Sequence, residues 1–86
     1  MQTREYYLEK NGCVVYITKM IKTRYDWIVM CNAIRPDGLF RAEHQINEDE
    51  FLDHEPVKIS RKEAEERIAQ YLSVQNRTTM KTLGLF

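Results

Sequence analysis

The chain has 86 residues, in which 13 Lys and Arg balance 13 Asp and Glu, with 43% hydrophobic and 30% charged residues. That length sets one domain with a small core, and that balance excludes both a disordered chain and one whose bulk charge would name its partner. Met1-Gln2-Thr3-Arg4-Glu5 carries no apolar run of signal-peptide type, and no stretch approaches the roughly 18–20 apolar residues of a membrane helix, so a soluble cytoplasmic protein without a membrane partner is expected.

Asn11-Gly12 lies between Tyr6-Tyr7-Leu8-Glu9-Lys10 and Cys13-Val14-Val15-Tyr16-Ile17. This dipeptide favours a two-residue type I′ hairpin. That register pairs Lys10 with Cys13, Leu8 with Val15 and Tyr6 with Ile17 on a core face, and Glu9 with Val14 and Tyr7 with Tyr16 on a more polar face.

Arg35-Pro36-Asp37-Gly38 is the second hairpin signal, a type I turn with Gly38 in the left-handed bulge position. Ile34 then faces Phe40, Asn32 faces Ala42, Met30 faces His44 and Ile28 faces Ile46. The opposite side collects Tyr25, Trp27, Val29, Cys31 and Ala33 with Arg41, Glu43 and Gln45. Lys22-Thr23-Arg24 connects the two hairpins, and clean alternation from Leu39 to Ile46 fits a strand with one solvated face.

Residues 47–56 form an acidic loop in which Glu48, Asp49, Glu50, Asp53 and Glu55 surround Phe51-Leu52, with room for one irregular helical turn. Pro56 is expected to hold Glu55 extended. Ser60-Arg61-Lys62-Glu63 is a capping box that opens a helix over residues 60–75, whose buried stripe is Ala64, Ile68, Tyr71, Leu72 and Gln75. The fold class that follows is α+β: a three- to four-stranded antiparallel meander, with strands near 4–10, 13–22, 25–34 and 39–46, and one long C-terminal helix on one face. A tail, 76–86, shows no period until Leu83-Gly84-Leu85-Phe86.

Catalytic chemistry is not signalled. Cys13, Cys31, His44 and His54 are scattered without the close pairs of a zinc site, and the two cysteines read as reduced structural thiols rather than a disulfide framework. In the expected register Cys31 lies opposite Glu43 and points away from His44, against a Cys-His nucleophile pair. No glycine-rich phosphate loop exists, and carboxylates in so hydrophilic a loop stay solvated rather than tuned for acid-base work. No cofactor or metal is expected, and the chain reads as a non-enzyme.

Two binding readings remain. The first is a protein-binding module, an inhibitor or modulator of the kind phages and mobile elements encode. It would dock on a larger protein with a basic surface, such as a nucleic-acid-handling protein. Its contacts would be Glu48, Asp49, Glu50, Phe51, Asp53 and Glu55, with Trp27 from the aromatic sheet face. Phe51 and Leu52 serve either as apolar anchors in that acidic field or as residues turned inward to close the core. The second reading is a DNA- or RNA-binding module using Lys22, Arg24, Tyr25, Trp27 and Arg41, where cations flank rings able to stack. The strands-then-helix outline resembles small sheet-reading DNA-binding modules, although no diagnostic motif accompanies it. Open sheet edges also allow a homodimer.

Overall fold

The computed structural model describes the backbone of residues 1–82 and the side chains of residues 1–74. Five antiparallel strands form one sheet in the order β4-β3-β2-β1-β5: β1 Tyr6–Leu8, β2 Val14–Lys22, β3 Trp27–Ile34, β4 Phe40–Asn47 and β5 Val57–Ile59. A short helix, α1 Glu48–Asp53, separates β4 from β5, and a long one, α2 Arg61–Thr82, follows. The α+β class holds, with β5 added beside β1. α2 runs past the expected end at residue 75, and the apolar ending 83–86 lies outside the described residues.

Two turns set the strand pairs, one as expected and one displaced. At the second hairpin, Gly38 N–H donates to the Arg35 carbonyl at 2.8 Å and Gly38 takes φ 87°, the type I turn with a glycine bulge. At the first, Gly12 N–H donates to the Glu9 carbonyl at 2.9 Å and Gly12 takes φ 89°, while Asn11 stays out of the left-handed region. The Asn11 carboxamide accepts from Cys13 N–H at 3.0 Å, which stabilises this longer turn. The loop is therefore one residue longer than a type I′ turn, and the pairs become Tyr6 with Tyr16, Tyr7 with Val15 and Leu8 with Val14. A one-residue slip exchanges the faces. Tyr7 enters the core and Tyr6 stacks at 4.7 Å on Tyr16 on the other side of the sheet.

Bulges correct the remaining registers. Thr18 is the extra residue on β2, between the pairs Ile17 with Cys31 and Lys19 with Met30, and its hydroxyl donates to the Met30 carbonyl at 3.1 Å. On β4 the register shifts between Ala33 with Arg41 and Cys31 with His44, where Glu43 takes φ 51° and its N–H donates to the Asn32 side chain at 3.0 Å. Near the turn Ile34 faces Phe40 as expected; beyond the bulge Cys31 lies opposite His44, not Glu43, and Val29, not Ile28, faces Ile46. The Cys31–Glu43 expectation fails because the bulge inserts one residue into β4.

Both sheet faces are consequently covered. The larger core gathers Tyr7, Val15, Ile17, Val29, Cys31 and Ile46 beneath Phe51 of α1, and the Tyr7 and Phe51 rings meet edge to face at 5.8 Å. α2 packs on the opposite face, where Val14, Ile34 and Ala64 form a second buried cluster flanked by Tyr6, Leu8, Ile59, Ile68 and Tyr71. The Ser60 hydroxyl caps α2 by accepting from Glu63 N–H at 3.1 Å, while the Glu63 carboxylate turns to Arg67 at 3.3 Å. Asn47 caps α1 in the same way, accepting from Glu50 N–H at 2.8 Å. Glu55 is not extended: it takes φ 51°, and its N–H closes α1 on the Leu52 carbonyl at 3.0 Å. Pro56 bars Glu55 from the right-handed helical region, and the left-handed closure supplies the stop.

Candidate functional site

Chemistry-bearing residues collect at two places on the α1 side of the sheet. The first is the end where β2 turns into β3. Thr23 and Asp26 hold this turn together: Thr23 N–H and hydroxyl both donate to the Asp26 carbonyl at 2.8 Å, and Asp26 N–H donates back to the hydroxyl at 3.0 Å. Arg24 and Tyr25 are left at the tip, with Tyr25 87% exposed. Each ring there carries a cation, the Arg24 guanidinium 5.4 Å from the Tyr25 ring centre and the Lys22 ammonium 5.1 Å from that of Trp27.

The acidic segment starts beside this tip. Asn47 pairs with Ile28, the neighbour of Trp27, and the next three residues are Glu48, Asp49 and Glu50 in the first turn of α1. Acids at a helix N-terminus also complement the helix dipole. Asp53 and Glu55 follow on exposed positions. Phe51 does not join them, because it is 1% exposed at the centre of the larger core; a chain this small uses its one aromatic in the segment for packing. Leu52 is the apolar side chain that α1 presents, at 51% exposure.

Arg41 stands apart from the other four residues of the nucleic-acid set. It pairs with Ala33, six residues along β3 from Trp27, roughly 20 Å at the rise of an extended strand. The tip is thus basic and aromatic, but carboxylates adjoin it and its fifth expected member is at the far end of the sheet.

The second place is a cleft of about 540 Å³ on the same face, between α1 and the paired turns of the two hairpins. Val15, Cys31, Ala33, Ile46 and Phe51 form its floor, with Glu9 and His54 at the β1 side and Arg41 and His44 at the β4 side. Glu9 Oε2 lies 3.1 Å from His54 Nδ1, and burial pushes the Glu9 carboxyl above its ordinary range, an effect that the two histidines oppose. Lys10 N–H donates to the His54 carbonyl at 3.0 Å and fixes the end of α1 on the first turn.

The register correction brings Cys31 and His44 to opposite positions on adjacent strands, yet they do not form a nucleophile pair. Cys31 is 3% exposed, its Sγ lies 3.7 Å from the His44 carbonyl, and burial, with help from Glu9, pushes its thiol up to about 11. A thiol so placed stays protonated near neutrality. Cys13 is buried and raised in the same direction, again mainly by burial. Among the described residues no group of three or more His, Cys, Asp or Glu is arranged to hold a metal ion, and no helix is long and apolar enough to cross a membrane.

No family model, no curated protein and no solved structure matches the chain.

Proposed function

We propose that this protein is a small non-catalytic binding module that docks on a larger protein with a basic surface, through α1 and the adjoining β2–β3 tip. The observation that carries the reading is the Asn47–Ile28 pair, which sets the acidic first turn of α1 beside Trp27. Glu48, Asp49, Glu50, Asp53 and Glu55 steer the encounter, while Leu52, Tyr25 and Trp27 supply apolar contact. Of the two anchors the sequence offered, Phe51 is buried in the core and Leu52 keeps the role. The partner that best suits an acidic surface is a nucleic-acid-handling protein, and the chain then acts as its cytoplasmic inhibitor or modulator, of the kind phages and mobile elements encode.

Direct nucleic-acid binding is the rival, and the cation–ring pairs at the tip favour it. The neighbouring carboxylates oppose it, since a phosphate within a few ångströms of the tip would also meet the field of Glu48 to Glu50. Affinity capture with the tagged chain and with the double reversal Asp49→Lys, Glu50→Lys decides between them when joined to an oligonucleotide titration. The expected result is a protein retained by the wild type and released by the reversal and by Leu52→Ala, with no salt-sensitive binding to duplex or single strands. Tight, salt-sensitive oligonucleotide binding that Arg24→Ala abolishes and the reversal strengthens would overturn it.

A further inference from the structure

The cleft holds a charged group that the docking surface does not use. The Glu9 side chain is 9% exposed, and among the described residues its one hydrogen-bonding partner is His54, through Oε2. The second oxygen is not engaged by that contact. A carboxylate compensated by a single imidazole is an expensive group to bury, and a cationic ligand would offset that cost. The cavity, about 540 Å³, falls within the roughly 300–1,000 Å³ of small-molecule sites, and its floor is apolar.

The cations at the rim do not reverse this polarity. Arg35 is paired with Asp37 at 2.9 Å, and both side chains are more than half exposed. Arg41 is exposed on β4, three strand spacings from β1, which is roughly 14 Å across the sheet and beyond the screening length at physiological salt. Exposed charges at that range are attenuated by water and ions, whereas the Glu9 carboxylate, on a side chain only 9% exposed, is screened far less.

We propose that this cleft binds a small organic cation, an apolar ring-bearing body ending in a primary ammonium or guanidinium that sits on Glu9. The ring lies over Val15, Ala33 and Cys31, against Phe51, and the cationic head takes the carboxylate oxygen that His54 leaves open. The site is distinct from the outer surface of α1 and stands or falls apart from the docking reading.

Titration of the labelled full chain with 4-phenylbutylamine and, separately, with 4-phenylbutyrate tests the proposal by amide chemical shifts. The amine should give saturable shifts at Cys31, Ala33, Ile46 and Phe51, and the acid should not. Glu9→Gln, which keeps the shape and removes the charge, should weaken amine binding about 10- to 100-fold, the effect of losing a charge-assisted hydrogen bond. Ala33→Phe, which fills the floor and leaves Glu9 in place, should abolish it, and serves as the deciding variant if Glu9→Gln does not fold. Equal or tighter binding of the acid, unchanged binding in either folded variant, or no saturation by millimolar amine would overturn the proposal.

Discussion

The Tyr71 hydroxyl donates to the Gly12 carbonyl at 2.6 Å, joining α2 to the first hairpin turn across 59 residues of chain. Gly12 is itself confined, since a Cβ there would lie 3.0 Å from Pro36 Cγ and φ is +89°. Tyr71→Phe should cost about 1 kcal/mol in urea unfolding, the net value of one such bond. Gly12→Ala should cost more, about 2 kcal/mol, because left-handed strain adds to the contact with Pro36. A smaller loss for Gly12→Ala than for Tyr71→Phe would mean that the turn does not depend on its glycine.

Phe51 and Leu52 are adjacent but should separate stability from binding. Phe51→Ala removes a ring that is 1% exposed, and should cost about 3–5 kcal/mol, a large share of the stability of a small domain. Leu52→Ala, at a half-exposed position, should change stability by less than about 1 kcal/mol. Thermal unfolding of both variants checks this, and it makes Leu52→Ala the clean variant for partner studies.

Glu5 and Glu9 should respond to pH with opposite sign. The Lys58 ammonium, 2.6 Å from Glu5 Oε2, holds the Glu5 carboxyl below the ordinary 4.5, so its contribution is present above that value and is lost as pH falls through the lowered one. Burial raises Glu9 above 4.5, so the folded state binds its proton more tightly, and stability declines as pH rises from 4.5 through the raised value. Urea midpoints across pH should show Glu9→Gln flattening the decline above 4.5 and Glu5→Gln flattening the loss below it. A Glu9→Gln profile parallel to wild type would show that its proton is not linked to folding.

Both thiols should be slow. With the Cys31 thiol near 11 rather than 9.0, its thiolate fraction at pH 8 falls about a hundredfold, and access is blocked as well. Reaction with a disulfide reagent should follow opening of the fold and accelerate in urea, for Cys13 as for Cys31.

Glu55 closes α1 at φ 51°, where glycine is at ease and glutamate is strained. Glu55→Gly should therefore leave stability unchanged or raise it by up to about 1 kcal/mol, despite the greater freedom of the unfolded chain. Glu55→Val, whose branched side chain fits that region poorly, should lower it, as read from thermal midpoints.

The strongest local signals translated directly into structure. Pro36-Asp37-Gly38 makes the expected turn, and Ser60 caps the expected helix, because in each case the residues that choose the conformation also form it. The rest depended on single-residue insertions that leave little trace in composition. Asn11-Gly12 serves a two-residue turn or a longer one equally well, and the extra residue turned Tyr7 inward. The bulges at Thr18 and Glu43 use residues with no marked bulge preference, so Cys31 and His44 became neighbours against expectation. Val57–Ile59 is too short to announce a strand, and pairing with β1 is what makes it one. The cleft was illegible for the same reason. Glu9, Cys31, His44 and His54 look scattered along the chain, and only the strand order draws them to one cavity.

The position of β1 between β2 and β5 bears on how the chain reaches this state. Tyr7 must pair with Val15, a neighbour in sequence, and with Lys58, about 50 residues away. The first hairpin can close early at little entropic cost, whereas the β5 side of β1 waits on a loop containing three strands and a helix. The β2–β3–β4 meander is therefore expected to serve as the folding platform, with β5 the last rung to be laid. Mutations along β5 should speed unfolding far more than they slow folding.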